Sequence, residues 1–136
     1  MSPQETAPLR RRTVLIGTAA LGSGLAVAGC ASAAPTAAPT PTTGPLGPTT
    51  DVPVGSAAIF ADRGVVVTQA TAGSFAAFSV LCPHQGCNVG SVEGAEIICP
   101  CHGSRFGLDG TVLTGPAESG LEMRSVTVNG DQLTLD

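Results

Sequence analysis

The sequence is poor in charge and in large side chains. It contains no Trp, no Tyr and no Lys, and only 12% of its residues are charged. With a formal net charge of −4 it has no basic stripe to meet phosphates, so we expect no nucleic-acid partner. Only four Phe residues are available as large aromatic side chains for a core. A small domain of this composition is expected to need an additional covalent or metal-based constraint.

The first 29 residues are typical of an export signal. Arg11 and Arg12 precede an apolar run, residues 14–28, which is too short and too rich in Gly for a membrane-spanning helix. The arginine pair followed by Thr-Val-Leu resembles a twin-arginine signal, which directs folded cargo to export. An ordinary charged leader is the alternative interpretation.

The leader ends in "VAGC", which resembles the lipobox of bacterial lipoproteins. In that interpretation Cys30 becomes the lipidated first residue of the mature protein. Cleavage at a nearby small-residue site, which would leave a soluble protein, and an uncleaved anchor are the alternatives.

Residues 30–50 are predicted to be a flexible linker. The stretch from position 31 contains five Pro and no charged residue, so it cannot bury a core and should be extended. At ~3.1 Å per residue it could reach roughly 60 Å. The folded domain is therefore expected over residues 51–136.

The domain is predicted to be all-β, a small antiparallel sandwich or barrel. Short apolar or alternating segments bounded by Gly, Asp or Pro indicate strands. They occur at 64–69, 74–81, 96–99, 124–128 and 132–135. The last two flank "NGD", a hairpin signal, and "LDGTVL" (108–113) predicts a turn with Asp109-Gly110 at its tip.

Two short segments carry nearly all the reactive side chains. "CPHQGC" (82–87) and "CPCHGS" (99–104) contain four of the five Cys and both His. Two thiolates and two imidazoles from two loops suit a four-coordinate metal ion such as zinc, or an iron–sulfur cluster with mixed ligands. A structural domain with two disulfides would leave both His unexplained.

The two segments resemble the cluster-binding motif of Rieske iron–sulfur proteins. The resemblance implies one [2Fe–2S] cluster, with Cys82 and Cys99 on one iron and His84 and His102 on the other. It also implies a disulfide between the remaining loop cysteines, Cys87 and Cys101, as in the respiratory-type branch. Such loops form a cluster-binding subdomain within the Rieske fold.

The resemblance further implies elements that cover and tune the cluster. The covering elements would be Gly86, Gly103, Gly115 and Pro116. The family's Gly-Pro-Ala-Pro loop departs from its pattern here, because Glu118 replaces the last proline. Ser104 matches the hydroxyl that donates to a bridging sulfide, whereas Phe106 stands where the family has a tyrosine. The missing hydroxyl predicts a lowered reduction potential.

The charge of the centre and the absence of other motifs suggest the function. Two ferric ions, two sulfides and two thiolates sum to zero, and neutral imidazoles add nothing, so such a centre accepts an electron more readily than one with four thiolates. The sequence shows no flavin or nucleotide fingerprint. We therefore expect one-electron transfer at the outer face of a cell membrane, with a redox partner protein that is a cytochrome or a quinol-oxidising membrane complex.

Three assignments remain open from the sequence. The first is an iron–sulfur subunit or lipoprotein related to the Rieske subunit of quinol–cytochrome c reductase. The second is the small subunit of another exported oxidoreductase, of the arsenite-oxidase type. The third, of a different class, is a structural zinc-binding module. A polar residue, Gln85, lies where respiratory Rieske subunits usually have an apolar one, which weakens the case for docking on a quinol site.

Overall fold

The computed structural model describes residues 42–136. The predicted export signal with Arg11 and Arg12, the predicted lipidation site Cys30 and the first part of the predicted linker lie outside the described residues. No helix within residues 42–136 is long and apolar enough to cross a membrane.

The described residues form eleven strands and two 3-10 turns. The strands are β1 Gly44–Pro48, β2 Ser56–Phe60, β3 Val65–Thr71, β4 Ser74–Ser79, β5 Ser91–Glu93, β6 Glu96–Ile98, β7 Arg105–Phe106, β8 Val112–Thr114, β9 Met123–Arg124, β10 Val126–Asn129 and β11 Gln132–Leu135. The 3-10 turns span Thr49–Asp51 and Ala61–Arg63.

The strands pair into three antiparallel sheets. Their orders are β1-β11-β10, β2-β3-β4-β9 and β5-β6-β7-β8. The predicted all-β antiparallel fold is confirmed, and the predicted hairpin around "NGD" joins β10 to β11. The turn at Asp109-Gly110 connects β7 to β8, where the Gly110 N–H donates to the Gly107 carbonyl oxygen at 3.0 Å.

Strand β3 separates two hydrophobic cores. Side chains alternate between the two faces of a strand. Accordingly Val66 packs in one core with Phe78, whereas Val65 and Val67 pack in the other. All three valines have no exposed surface. A strand that is buried on both faces needs apolar side chains at successive positions, because neither face is in contact with water.

A strand of the structure lies before Asp51, the predicted start of the domain. Strand β1, with the sequence "GPLGP", pairs with β11 inside the stretch predicted to be linker. It lies at the edge of its sheet, where Pro is tolerated because one side of an edge strand needs no N–H donor. The register shifts between Pro45 and Gly47. A strand of Pro and Gly lacks the apolar alternation by which strands are recognised.

The sheet β5-β6-β7-β8 carries the two segments with the reactive side chains. One segment connects β4 to β5, and the other connects β6 to β7. A third loop, residues 115–122, connects β8 to β9. Beneath them lies the core that contains Phe78, Ile97 and Phe106, which supports the loops from below.

A substitution at the buried residue Gly110 tests how the core around Phe78 packs. Its φ is +78°, and a Cβ built on it would lie 2.5 Å from the Phe78 ring. Gly110→Ala should therefore cost about 1–2 kcal/mol for the left-handed backbone and about 1–3 kcal/mol more for overpacking. Gly73→Ala is the matched control, because its φ is +79° and a Cβ there meets no atom within 4 Å.

Thermal unfolding followed by circular dichroism measures both variants. We expect Gly110→Ala to lower Tm at least about twice as much as Gly73→Ala. Equal shifts would show that the Phe78 ring does not pack against Gly110.

Candidate metal centre

The two loops share one backbone hydrogen-bonding pattern. In the first, the Cys82 N–H donates to the Cys87 carbonyl oxygen at 2.7 Å, and the Gly86 N–H donates to the Cys82 carbonyl oxygen at 2.9 Å. In the second, the corresponding distances are 2.9 Å from Cys99 to Ser104 and 3.0 Å from Gly103 to Cys99. Each loop is thus a closed turn that presents its Cys and His side chains from a fixed backbone.

A glycine with positive φ completes each turn. Gly86 has φ 76° and Gly103 has φ 77°, values that residues with a Cβ rarely adopt. A Cβ at either position would meet no atom of the described residues within 4 Å. The backbone conformation therefore explains these two glycines, and their predicted role in covering a cluster stays a prediction.

The disulfide implied by the resemblance is present. Cys87 and Cys101 are bonded at an S–S distance of 2.09 Å, with their Cα atoms 6.5 Å apart. The bond joins one loop to the other across 14 residues of sequence. It fixes the separation of the two turns, and with it the separation of the side chains that they carry.

The two remaining cysteines of the loops are free thiols that face each other. Cys82 is 2% exposed and Cys99 is 1% exposed. Burial raises the pKa of the Cys99 thiol, hydrogen bonds from the backbone of Cys101 and His102 oppose this, and the neighbouring Cys82 raises the pKa further. A buried pair of thiolates thus needs a compensating positive charge, which a bound metal supplies.

The two histidines form a second pair, on the solvent side. The ring centroids of His84 and His102 are 4.8 Å apart, and the rings are nearly perpendicular, at 85°. His84 is half-buried and His102 is exposed. One turn places its imidazole two residues after its Cys, and the other places it three residues after.

The four side chains therefore form two pairs. Within residues 42–136, no group of three or more His, Cys, Asp or Glu side chains is placed to hold a single metal ion. Two thiols that face each other and two imidazoles that face each other offer two ligands to each of two metal ions. This donor set fits a binuclear cluster with mixed ligation.

A third loop packs against the second one through Ser104. The Ala117 N–H donates to the Ser104 Oγ at 3.0 Å, and both residues are buried. The bond uses Ser104 as an acceptor, so its own hydroxyl hydrogen remains available to a second partner. Sequence reasoning missed Ala117, although it directly follows the predicted covering pair Gly115 and Pro116, whose peptide bond is cis.

Phe106 is fully buried in the core under the loops. It lies in β7 opposite Ile97 of β6 and has no exposed surface. The structure thus places an apolar ring two residues beyond Ser104, at the position of the family's tyrosine. The tuning roles assigned to Ser104 and Phe106 stay predictions.

Comparison with known proteins finds a matching family. A family model described as the Rieske [2Fe-2S] domain matches residues 43–130. The chain is similar to the cytochrome b6-f complex iron-sulfur subunit of Chlorobaculum tepidum, with 35% identity over 94 residues that cover 66% of this chain and 51% of that protein. The chain thus spans about half the length of this relative.

A solved structure leads to the same family. The cyanobacterial plasma membrane Rieske protein PetC3 from Synechocystis PCC 6803 aligns with a TM-score of 0.57 and 28% identity, over 68% of this chain and 97% of that one. The ferredoxin of carbazole 1,9a-dioxygenase from Nocardioides aromaticivorans aligns with a TM-score of 0.53 over 69% of this chain and 96% of that one. At 24% identity this second likeness concerns the fold alone.

The disulfide should hold the loops in place without serving as a ligand. Replacing Cys87 and Cys101 by Ser should destabilise the loops by about 3 kcal/mol, the value expected for a closed loop of this size. Iron should then be released faster at a raised temperature. The rate is measured at one fixed temperature from the loss of the cluster's absorbance with time. Wild-type protein treated with a reductant should behave like the double variant. Two titratable thiols at these positions in oxidised wild-type protein would contradict the assignment.

Proposed function

Because the chain belongs to the Rieske [2Fe–2S] domain family, we propose that it carries single electrons as the iron–sulfur subunit of a cytochrome b6-f-like, quinol-oxidising complex. Its cofactor is one [2Fe–2S] cluster. The observation that carries the proposal is the arrangement of two buried thiols and two imidazoles on a pair of loops joined by a disulfide.

The ligands are assigned in pairs. Cys82 and Cys99 would hold one iron, and His84 and His102 would hold the other. The bound cluster supplies a one-electron redox couple. Two thiolates and two neutral imidazoles leave the oxidised centre uncharged, which favours acceptance of an electron over a centre with four thiolates.

Burial separates the roles of the two ligand pairs. Cys82 and Cys99 lie against the core that contains Phe78 and Phe106, so the protein excludes water from the thiolate side. The imidazoles are on the solvent side, where His102 is exposed. We infer that electrons enter and leave through the histidine edge, where a partner can approach closely.

The partners are inferred from the relatives. The Chlorobaculum protein is by name a subunit of the cytochrome b6-f complex. A cytochrome or a quinol-oxidising membrane complex is accordingly the proposed partner of this chain. No observation on the described residues favours an arsenite-oxidase type of complex, and the family membership supports an iron–sulfur cluster over the zinc alternative.

The cellular location is proposed from the sequence preceding the fold. Arg11 and Arg12 would direct twin-arginine export, and lipidation of Cys30 would anchor the chain at the outer face of the cell membrane. The residues between Cys30 and β1 would then be the spacer. Export of a folded domain suits a cofactor that is inserted in the cytoplasm before translocation.

Metal and sulfide analysis tests the function directly. Purified protein should contain two iron and two inorganic sulfide per chain. His84→Ala and His102→Ala should each lose the cluster, because each removes a proposed ligand. Gln85→Ala is the matched control, since this exposed side chain lies beside His84 and is no ligand. One zinc and no sulfide in the wild-type protein would refute electron transfer by this domain.

Lipid labelling of cells that express the chain tests the anchor. Cys30→Ser should abolish incorporation of lipid label and release the domain or leave it unprocessed, while the cluster still assembles. The cluster should survive because Cys30 is neither a proposed ligand nor part of the Cys87–Cys101 disulfide. Unchanged lipid labelling in this variant would exclude the proposed anchor.

A further inference from the structure

A solvent-open cavity lies directly beside one of the proposed ligands. It has a volume of about 510 Å³ and is lined by Pro83, His84, Pro116, Glu118 and Ser119. Its walls come from the first cluster loop and from the third loop. Pro83 and Pro116 restrict the backbone on both sides, so the opening is held by stiff segments. Cavities of roughly 300–1,000 Å³ hold small molecules, so one long side chain fits easily.

Glu118 brings a negative charge into this cavity that no described residue neutralises. The carboxylate is exposed, and no hydrogen bond or ion pair within residues 42–136 involves it. The three arginines of this region are engaged elsewhere. Arg63 pairs with Asp62, Arg105 with Glu93 and Glu96, and Arg124 with Glu122.

The described region as a whole is acidic. Residues 42–136 contain three Arg and nine Asp or Glu, which gives 3 − 9 = −6 with neutral histidines. A field of this sign attracts a positively charged partner over a distance of about one Debye length. The unneutralised carboxylate of Glu118 lines the same cavity as His84, so it would attract a positively charged partner to the histidine edge.

We propose that this cavity receives a Lys or Arg side chain of the redox partner protein, which pairs with Glu118 and brings the partner against His84. The inference rests on the proposed function and names the surface through which that function is performed. The Ser119 hydroxyl supplies a further acceptor for an ammonium or guanidinium donor. A single carboxylate offers too few oxygen ligands for a hard metal ion, which takes six or more. A cationic side chain is therefore the occupant that matches the cavity.

The test compares two variants that remove the same charge at different places. Glu118→Gln removes it at the cavity. Asp131→Asn, the control, removes it at the exposed hairpin between β10 and β11, in a sheet that carries none of the proposed ligands. Cluster-loaded, reduced full-length protein is mixed in a stopped-flow instrument with a basic ferric c-type cytochrome. One electron leaves each reduced chain and reduces one cytochrome iron from the ferric to the ferrous state.

The effect of Glu118 on this reaction should be local and dependent on salt. At low ionic strength Glu118→Gln should lower the second-order rate constant by about 3- to 10-fold, and Asp131→Asn by less than about 2-fold. The difference should vanish in about 0.5 M salt, where charges on the surface are screened. Equal effects of the two variants at low salt would overturn the proposal, because the charge would then act only through the overall field.

An oxidant of opposite charge separates this mechanism from damage to the site. Hexacyanoferrate(III), a trianion, takes one electron and is repelled by Glu118, so Glu118→Gln should raise its rate constant about 2- to 5-fold. A fall with both oxidants would overturn the proposal, since a disturbed centre slows every acceptor. Wild-type protein without iron and sulfide would refute the proposed function and the inference together. Wild-type protein with a cluster but equal variants would refute only the inference.

Discussion

The Cys87–Cys101 disulfide is the constraint on which the site depends. Each loop closes its own turn through two backbone hydrogen bonds, so each is ordered locally. Local order does not determine how far apart two loops lie. The covalent bond fixes that distance, and thereby holds two buried thiols together and two imidazole rings 4.8 Å apart. In a chain with only four Phe, such a bond compensates for a small core.

The fold gives the two sides of the centre different surroundings. Strand β3 separates two cores, and the one that contains Phe78, Ile97 and Phe106 lies beneath the loops. The thiols are directed into this apolar layer, while His102 reaches solvent. A charge change at the centre is thus shielded from water on one side and accessible to a partner on the other. The Ser104–Ala117 hydrogen bond attaches the third loop to this arrangement.

The candidate ligand residues were easier to predict from the sequence than the boundaries of the strands or the contacts between residues distant in the sequence. The spacing of Cys and His within each loop is local, so it can be read directly, and the three consecutive valines at positions 65–67 indicate strand β3 in the same way. Strand β1 was missed because "GPLGP" has no alternation and gains its order from β11. A strand of two residues, such as β7, is too short to show an alternating pattern in the sequence. It is recognised only from its pairing with neighbouring strands. The approach of Glu118 to His84 depends on the path of two loops, which no local pattern records.

Mössbauer spectroscopy of protein enriched in ⁵⁷Fe tests the central claim most directly, because it distinguishes the surroundings of the individual iron atoms. The claim is that two loops give two thiolates to one iron and two imidazoles to the other. The oxidised protein should therefore show two quadrupole doublets of equal area, one for each environment. A single doublet from two equivalent irons would contradict the account.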